Sequence, residues 1–352
     1  MPSSNLNLVG LFAGVGGIEE GFFRAGFNPV VANEIDPYAV ETYREMHRSK
    51  KQKVAVLLDS ISNVTRELLE EQIVLETGDR INLEGGILTG GFPCQPFSVA
   101  GYRKGFDDER GNVFWDIIKL ANEIRPDVIF LENVKNLATH DEKRTLATIR
   151  AALKGEKVDR EGAIQLYQEY FLAEPEVLNA KDFGVPQNRE RIFLVAFKDK
   201  EAASKFKFPT RADKSSSHGL ESLEKYIDFD TKQPDKYYYT EDSAIYDRLV
   251  NEVTERGVIY QWRRQYVRAN KSGVAPTLTA NMGMGGHNVP IIKAKHGIRK
   301  LTPEECFRLM GFERLQSTPG TADSRLYKQA GNAVVVDVIE SIARNIKTAL
   351  QG

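Results

Sequence analysis

The sequence is poor in cysteine and has no pattern typical of metal binding. Cys94 and Cys306 are the only two cysteines among 352 residues, and neither lies in a spacing that supplies zinc ligands. Free thiols at this frequency are typical of a reducing compartment. The chain also lacks an apolar run long enough to span a membrane, and its N-terminus lacks the pattern of a signal peptide. We therefore expect a soluble, cytoplasmic protein without a metal site or a membrane contact.

An excess of charge of either sign is missing as well. The 48 basic and 49 acidic residues leave a net charge of −1, so affinity for a nucleic acid would require a local basic surface. A chain of 352 residues exceeds one typical domain. Because no internal repeat or low-complexity tract divides it, the sequence predicts two globular lobes.

Acidic residues are absent from one long segment in the second half of the chain. Residues 256–300 include nine Lys or Arg residues and no Asp or Glu. Tyr260, Trp262 and Tyr266 are interleaved with these cations. Such a stretch is typical of phosphate binding, although a solvated basic face is the common alternative for a run of charges.

The beginning of the chain combines a strand, a glycine turn and a helix. A strand is predicted at 6–12, and the glycine turn at 13–17 leads into a helix. In this arrangement glycines let a nucleotide approach the backbone. The next strand ends at Glu34, where an acid can bind both ribose hydroxyls of an adenosine cofactor. The glycine pattern is not G-x-G-x-x-G and indicates no dinucleotide, and a tight turn with a solvated acid explains the same residues.

Strands and helices continue to alternate along the chain. Helices are predicted at 37–48, 62–76 and 113–124, and strands at 54–58, 86–89 and 127–131. This order predicts an α/β fold with a mainly parallel sheet that is covered on both faces. Ligands of such sheets bind at the carboxyl ends of the strands. The functional side chains expected at this edge are Glu34, Asp59, Cys94 and Glu132.

Cys94 follows the strand at 86–89 in a turn that contains Pro93 and Pro96. Prolines fix φ and donate no hydrogen bond, so this turn holds the thiol in one place. A free cysteine is most often a small buried hydrophobe, but a cysteine in a stiff loop at a strand end is suited to nucleophilic attack. The polar, glycine-rich segment 101–112 predicts a mobile loop beside the thiol.

Glu132 and Cys306 favour different interpretations. An otherwise apolar strand leads to Glu132, which favours a functional acid, although a helix cap or an ion pair is the alternative. Cys306 lies on the apolar face of a helix predicted at 301–311, which begins with a Thr cap and a proline and ends at a glycine. We expect Cys306 to be structural.

The tyrosines at 237–239 predict a strand of the second lobe.

Five motifs resemble the successive motifs of the DNA cytosine-5 methyltransferases of the bacterial modification type. In chain order they are Phe12-Ala13-Gly14-x-Gly16-Gly17, Gly91-Phe92-Pro93-Cys94-Gln95, Glu132-Asn133-Val134, Gln187-Asn188-Arg189-Glu190-Arg191 and Gly331-Asn332-Ala333-Val334. Thr277 and Leu278 are similar to the Thr-Leu element of the family's target-recognition region. The resemblance covers nearly the whole chain, and 199–270 is its least similar part.

The resemblance implies a Rossmann-like, adenosylmethionine-dependent methyltransferase fold with a second, smaller and irregular target-recognition domain. The catalytic and cofactor-binding domain would comprise 1–198 and 326–352, and the target-recognition domain and hinge 199–325. The implied reaction transfers a methyl group from S-adenosylmethionine to C5 of a flipped-out cytosine in a specific double-stranded DNA sequence, with S-adenosylhomocysteine as product. We expect a monomeric, prokaryotic enzyme for which a cognate restriction endonuclease is a genetic and not a physical partner.

The resemblance also implies roles for individual residues. Cys94 would attack C6 of the base, and Glu132 would contact N3 and the exocyclic amine. Arg189 and Arg191 would share one face of a strand and hold the base carbonyl oxygen. The residues implied in cofactor binding are Phe12, Ala13, Gly14, Gly16, Gly17, Glu34, Ile35, Asp59, Ser60, Pro93, Val113, Asn332 and Ala333. The implied DNA contacts are Gln95, Ser98, Arg103, Arg263, Arg264, Arg268, Thr277 and Leu278.

Three other functions are compatible with parts of the sequence. An RNA-directed enzyme of the same fold would share the motifs, but the basic second lobe favours DNA. A catalytically silent DNA-binding regulator is disfavoured by the presence of Cys94, Glu132 and both arginines. A nicotinamide dehydrogenase would suit the first strand, turn and helix, but it leaves the cysteine loop unexplained.

Overall fold

The computed structural model describes residues 6–48, 53–92, 113–159, 162–210, 221–284 and 288–352. The chain divides into two compact units. The first unit consists of Met1–Leu178, Glu190–Pro209 and Val338–Gly352, and the second unit of Asn179–Arg189 and Thr210–Asp337. In the described ranges no helix is both long and apolar enough to cross a membrane.

The larger sheet has eight strands within the described residues. They are β1 Asn7–Leu11, β2 Asn28–Glu34, β3 Ala55–Leu58, β4 Ile87–Gly91, β5 Val128–Val134, β6 Phe171–Leu172, β7 Glu176–Asn179 and β8 Glu190–Phe197. Their order is β3-β2-β1-β4-β5-β8-β6, and β7 pairs with β8. Strands β1 to β5 pair in parallel, whereas β8 runs antiparallel to β5. The predicted mainly parallel sheet is therefore confirmed.

Helices of the first unit pack against this sheet. They are α1 Gly17–Arg24, α2 Pro37–Arg48, α3 Arg66–Thr77, α4 Val113–Ile124, α5 Arg144–Leu153 and α6 Lys200–Lys205. Leu69, Phe114 and Ile149 from three of these helices join one buried cluster with side chains of β1, β4 and β5. Helix α3 begins later than predicted, because the Thr65 side chain caps it by accepting the Leu68 N–H, while Ile61–Asn63 forms a separate 3₁₀ turn.

The strand order places a switch point beside β1. The chain continues from β1 toward β2 and β3 on one side and reaches β4 and β5 on the other. In open α/β sheets, the crevice beyond the carboxyl ends of the strands at such a point is the usual ligand site. Because β8 is antiparallel to β5, the first residues of β8 lie at the same edge as the last residues of β5.

The described residues of the second unit form a smaller antiparallel sheet and three α-helices. Its strands are β9 Ile259–Arg263, β10 Tyr266–Asn270, β11 Ile291–Ala294 and β12 Gly297–Lys300, in the order β10-β9-β11-β12, and its helices are α7 Tyr246–Glu252, α8 Pro303–Arg308 and α9 Asp323–Asn332. The predicted strand at 237–239 is wrong. Asp235–Tyr237 is a 3₁₀ turn closed by the Tyr237 N–H, and Tyr238 makes an isolated bridge to Arg299.

Cys306 lies on α8 with a fully buried side chain, so the prediction of a structural thiol is confirmed. Thr302 and Glu305 cap this helix reciprocally through their side chains and backbone N–H groups. The last helix is α10 Val336–Gln351. Its Ile339 packs against α1, where a Cβ on Gly21 would lie 2.5 Å from the Ile339 Cβ.

Candidate active site

The glycine turn between β1 and α1 has the backbone that only glycine adopts without strain. Gly14 and Gly16 have φ values of 57° and 85°, and Phe12 also has a positive φ. A Cβ added to Gly14 would meet no atom of the described residues within 4 Å, so the turn faces open space in this part of the structure. The Ala13 N–H donates to the Asn33 carbonyl at 3.0 Å, which ties the turn to the end of β2.

Glu34 at the end of β2 is held by backbone N–H groups. Its Oε2 accepts the Gly14 N–H at 2.8 Å, and its Oε1 accepts the N–H groups of Ile35 and Asp36 at 2.8 and 2.9 Å. The neighbouring Ile35 side chain is 65% exposed, which is unusual for a large apolar residue. Glu34 and Ile35, which the sequence predicts to bind the cofactor, therefore lie next to each other beside the glycine turn.

The ends of β2 and β3 are joined by one amide side chain. Asn33 Nδ2 donates to the carbonyls of Leu57 and Asp59 at 3.2 and 2.9 Å. Asp59 Oδ1 accepts the Ser60 N–H at 2.6 Å, so these two predicted cofactor residues form one turn. Val113, also predicted to contact the cofactor, begins α4 and packs against the large core cluster.

A buried acid that the sequence analysis missed lies behind the glycine turn. Glu19 on α1 is 1% exposed, and a Cβ on Gly10 of β1 would lie 1.9 Å from its Oε1 atom. The pKa of Glu19 is raised to about 8, chiefly because the side chain is buried; a hydrogen bond from the Glu19 backbone opposes this shift, and the charge of Glu34 adds to it. The signal in the sequence is a charged residue one position after the apolar Ile18 on a helix that packs on the sheet.

Glu132 and Arg191 form an ion pair at the carboxyl edge of the sheet. Arg191 Nε lies 2.9 Å from Glu132 Oε1, and the side chains are 17% and 10% exposed. Glu132 is on β5 and Arg191 follows the first residue of β8. A Cβ on Gly91, at the end of β4, would lie 3.3 Å from Glu132 Oε2, so glycine lets the carboxylate approach the strand that leads toward Cys94.

The last described residue before the predicted nucleophile is anchored to β5. Asn133 Nδ2 donates to the Phe92 carbonyl at 3.2 Å, and the buried Phe92 ring lies 6.0 Å from that of Phe114. The sequence analysis assigned no role to Asn133 or Phe92. Predicted functional residues that lie outside the described residues are Pro93, Cys94, Gln95, Ser98 and Arg103, together with the predicted loop at 101–112.

Arg189 does not lie on the same strand as Arg191, so that prediction is wrong. Strand β8 begins at Glu190, and Arg189 belongs to the second unit. Its guanidinium is buried and donates to the carbonyls of Leu278, Gly331 and Ala333 at 2.7, 3.1 and 2.5 Å. Three carbonyl acceptors make Arg189 a link between the Thr-Leu element and the end of α9.

Backbone packing strengthens the same link. A Cβ on Gly331 would lie 2.1 Å from the Thr279 carbonyl carbon, so α9 and the segment after Leu278 meet backbone to backbone. Asn332, the last residue of α9, is exposed, whereas Ala333 is half-buried and accepts from Arg189. Leu278, which the sequence assigns to DNA contact, is only 1% exposed. Its side chain therefore supports the surface instead of forming it.

The basic segment 256–300 separates into paired and unpaired cations. Three cations pair with carboxylates: Arg256 with Asp230, Lys271 with Glu255 and Arg299 with Glu305. Lys293 donates to the Thr254 carbonyl, and Lys300 lies over two tyrosine rings. The guanidinium groups of Arg263, Arg264 and Arg268 have no ion pair or hydrogen bond within the part of the chain that the structure describes. The exposed Lys295, which follows β11, likewise has no ion pair or side-chain hydrogen bond in the described residues, so three of these four cations lie on the β9–β10 hairpin.

Two of these arginines line a polar cleft of the second unit with a volume of about 570 Å³. Thr277, a predicted DNA contact, lines it as well, while Arg264 lies at the hairpin turn with a φ of 53°. Gln261 and Asn270 also line the cleft and were missed by the sequence analysis. Alternation of polar and apolar residues along 259–263 is the signal that points to Gln261.

Comparison with known protein families shows where this chain belongs. Residues 6–348 match the family model described as C-5 cytosine-specific DNA methylase. The chain is 46% identical over 345 residues to the type II methyltransferase M.Bsp6I of Bacillus sp. (strain RFL6), which covers 97% of this chain and 98% of the relative. It is 30% identical to the type II methyltransferase M.HhaI of Haemophilus parahaemolyticus, over 99% of this chain and 96% of the relative.

Solved structures share the fold at lower sequence identity. The Dnmt2 methyltransferase of S. pombe superposes with a TM-score of 0.67 at 17% identity, over 98% of this chain and 99% of that chain. A putative DNA modification methyltransferase encoded within an E. coli prophage gives a TM-score of 0.65 at 21% identity, with coverages of 98% and 99%. From the family match over nearly its whole length, this chain is a member of the C-5 cytosine-specific DNA methylase family.

Proposed function

We propose that this chain methylates C5 of a cytosine that is flipped out of a specific double-stranded DNA site, as the modification enzyme of a type II restriction-modification system. The observation that carries the proposal is the Glu132–Arg191 ion pair at the carboxyl edge of the sheet, beside the end of β4. The relatives are named type II methyltransferases, which supports the assignment to a type II restriction-modification system. In this proposal the enzyme acts as a monomer, and its endonuclease is a genetic partner.

The glycine turn and the ends of β2 and β3 fit S-adenosylmethionine. Open space above Gly14 leaves room for a ligand against the backbone. The Glu34 carboxylate is oriented by three N–H groups and can accept from ribose hydroxyls, and the exposed Ile35 offers an apolar surface to a purine ring. Asp59 and Ser60 would complete the site at the end of β3. When bound, this cofactor supplies an electrophilic methyl group at the switch point.

Cys94 is the proposed nucleophile, since C5 of cytosine is too weak a nucleophile to be methylated directly. Its thiolate forms a bond to C6, and the electrons of the C5–C6 double bond become available at C5. After C5 has been methylated, loss of the C5 proton to a base and departure of the thiolate restore the aromatic ring. The target atom is unreachable inside a duplex, so the base has to leave the helix.

Glu132 and Arg191 would manage the charge that develops on the ring. Addition of the thiolate pushes negative charge toward N3. Glu132 in its protonated form can give N3 a proton, which returns to Glu132 when the thiolate departs, and its other oxygen accepts a hydrogen bond from the exocyclic amine. Arg191 then stabilises the carboxylate that remains, at 2.9 Å from its Oε1 atom. Glu132 is buried and Arg191 is half-buried, which strengthens this interaction relative to bulk water.

Arg189 has a different role in this proposal. Its guanidinium is occupied by three backbone carbonyls of the second unit, so we assign it to positioning. It would hold the Thr-Leu element, and with it the cleft that contains Thr277, in register with Asn332 and Ala333. The recognised sequence would be read by the second unit, where the unpaired arginines lie.

Methylation of DNA in cells expressing the protein tests the proposal. Bisulfite sequencing of a plasmid should show 5-methylcytosine at one short sequence and nowhere else. Transfer of tritium from labelled cofactor to duplex DNA, but not to tRNA, separates DNA from RNA as the substrate. DNA binding without any transfer would support the silent regulator and contradict the proposed activity.

A further inference from the structure

The β9–β10 hairpin has two chemically different faces. Its register places Gln261 opposite Arg268, Arg263 opposite Tyr266 and Trp262 opposite Val267. Directly opposed residues of an antiparallel pair point to the same face, and neighbours along a strand point to opposite faces. Gln261 and Arg268 therefore project side by side from one face, while Trp262 and Val267 project from the other.

The apolar face has its partners within the second unit. Tyr260 and Val267 join a buried cluster with Leu249 and Ile291, against which Trp262 packs. The polar face has no such packing role. It lines the cleft with Gln261, Arg263, Arg268 and Asn270, and no Asp or Glu is among the described residues that line it.

One atom on the polar face lacks a partner. Gln261 Oε1 is buried and accepts no hydrogen bond from the residues that the structure describes. A buried acceptor without a donor is unfavourable unless a ligand supplies the donor. Next to it, the Arg268 guanidinium is exposed and unpaired in the described part of the chain, and it offers a fork of parallel donors. Because Gln261 lines the cleft, a rotation of its side chain would bring this acceptor beside the bidentate donor of Arg268 on the opposed strand.

This combination matches the major-groove edge of a G·C base pair. Guanine presents two acceptors there, O6 and N7, for which Arg is the commonest partner, and the paired cytosine presents the N4 amino group as a donor. The major groove of B-form DNA admits a two-stranded β-ribbon, whereas that of A-form RNA is too narrow. Asn270 holds the ribbon together, because its Nδ2 donates to the Ile259 carbonyl at 3.1 Å.

Resting on the proposed function, we propose that Gln261 and Arg268 together read one G·C base pair of the recognition sequence. Arg268 contacts O6 and N7 of the guanine, and Gln261 Oε1 accepts from the cytosine N4 amino group. Arg264 lies outside the cleft at the hairpin turn and contacts a phosphate.

The test measures site preference on a library of DNA duplexes with random bases around a cytosine, using bisulfite sequencing. Gln261→Ala and Arg268→Ala should each relax discrimination at the same G·C pair, by about ten- to a hundredfold. Arg268→Lys keeps the charge but loses the bidentate geometry, so it should relax the same position. Replacing that guanine by 7-deazaguanine, which lacks N7, should weaken binding of the wild type but not of Arg268→Ala.

Two control variants distinguish the recognition of one base pair from a general loss of affinity for DNA. Lys271→Ala removes a cation that is paired with Glu255 and lies outside the cleft, so the preference should stay unchanged. Arg264→Ala should weaken binding to all sequences equally and reduce the salt slope by about one unit. All variants are checked by thermal melting, and the exposed Arg268 should not affect folding.

The outcomes distinguish this inference from the proposed function on which it rests. A wild type that methylates no duplex contradicts the proposed function itself. The wild type could methylate one sequence while Gln261→Ala and Arg268→Ala keep the same site preference. That result would overturn only the inference that Gln261 and Arg268 read a base pair. Relaxation at two different base pairs, at an A·T pair, or equally at all positions would overturn it too.

Discussion

Arg191 Nε lies 2.9 Å from Glu132 Oε1, although 58 residues separate the two in the chain. The contact exists because β8 runs antiparallel to β5 and brings its first residues to the carboxyl edge of the sheet. An acid and a guanidinium in this place can pass a proton to a ring nitrogen and stabilise the carboxylate that remains.

Glu132→Gln should lower turnover by about a hundredfold or more, because the amide keeps a hydrogen bond but has no proton to share. The rate is measured as single-turnover methyl transfer to duplex DNA. Glu190→Gln is the matched control. Glu190 is adjacent to Arg191 in sequence but forms a surface ion pair with Lys135, which contributes little. Near-normal turnover of Glu132→Gln would show that Glu132 is a structural anchor.

Cys94→Ser should abolish methylation and leave DNA binding largely intact, since serine has no accessible anion near neutral pH. Cys306→Ala is the comparison, because burial raises the pKa of the Cys306 thiol well above its usual value. It should retain methyl transfer. DNA containing 5-fluorocytosine should form a covalent adduct with the wild type and with Cys306→Ala only, which gel electrophoresis detects. An adduct with Cys94→Ser would remove Cys94 from the mechanism.

Arg189→Lys should lower the free energy of unfolding by on the order of 2 kcal/mol, because an ammonium cannot reach three separate carbonyl acceptors. Denaturant unfolding measures this change. Arg256→Lys alters an exposed pair with Asp230 and should leave the free energy of unfolding nearly unchanged. Unchanged stability of Arg189→Lys together with lost turnover would favour a direct contact with the base.

Glu19→Gln should make stability less sensitive to pH. The unfolded chain releases this proton near pH 4.5, whereas the folded protein retains it up to about pH 8. Between these values the folded state binds more protons, so the free energy of unfolding falls as pH rises, by at most about 1.4 kcal/mol per unit.

Glu19→Gln has no titrating group at this position, so its free energy of unfolding does not fall with rising pH for this reason. Its stability relative to the wild type should therefore increase from pH 5 to pH 8 and stay constant below about pH 4. Melting temperatures across this range measure the difference. A constant difference at all values would show that Glu19 is ionised in the folded protein at neutral pH.

Local sequence patterns were sufficient for most of the first unit. Apolar strands followed by glycine or acid predicted that Glu34, Asp59 and Glu132 lie at strand ends, and they do. These predictions succeed because a parallel sheet places every carboxyl end at one edge, so strand order along the chain already gathers the side chains. The start of α3 shifted because the Thr65 side chain caps it, and β5 extends to Val134, beyond the predicted end at 131.

Side chains whose partners are distant in sequence could not be assigned in this way. Arg189 has the same residue type as Arg191 and lies two positions before it, but its acceptors belong to Leu278, Gly331 and Ala333. Leu278 likewise looks like part of a surface motif and is buried. Neither result follows from local periodicity, because burial and hydrogen-bond partners depend on which segments meet.

The sequence by itself determined the family, the alternation that builds a mainly parallel sheet, and the placement of acids and glycines at its edge. These properties depend on residue type and short spacings, which act within a few residues along the chain. Only the tertiary structure decided that Glu132 pairs with Arg191 and that Arg189 links two segments of the second unit. It also decided that three arginines of the basic stretch find no ion-pair partner among the described residues. Such facts depend on distances between residues far apart in the chain, which folding alone determines.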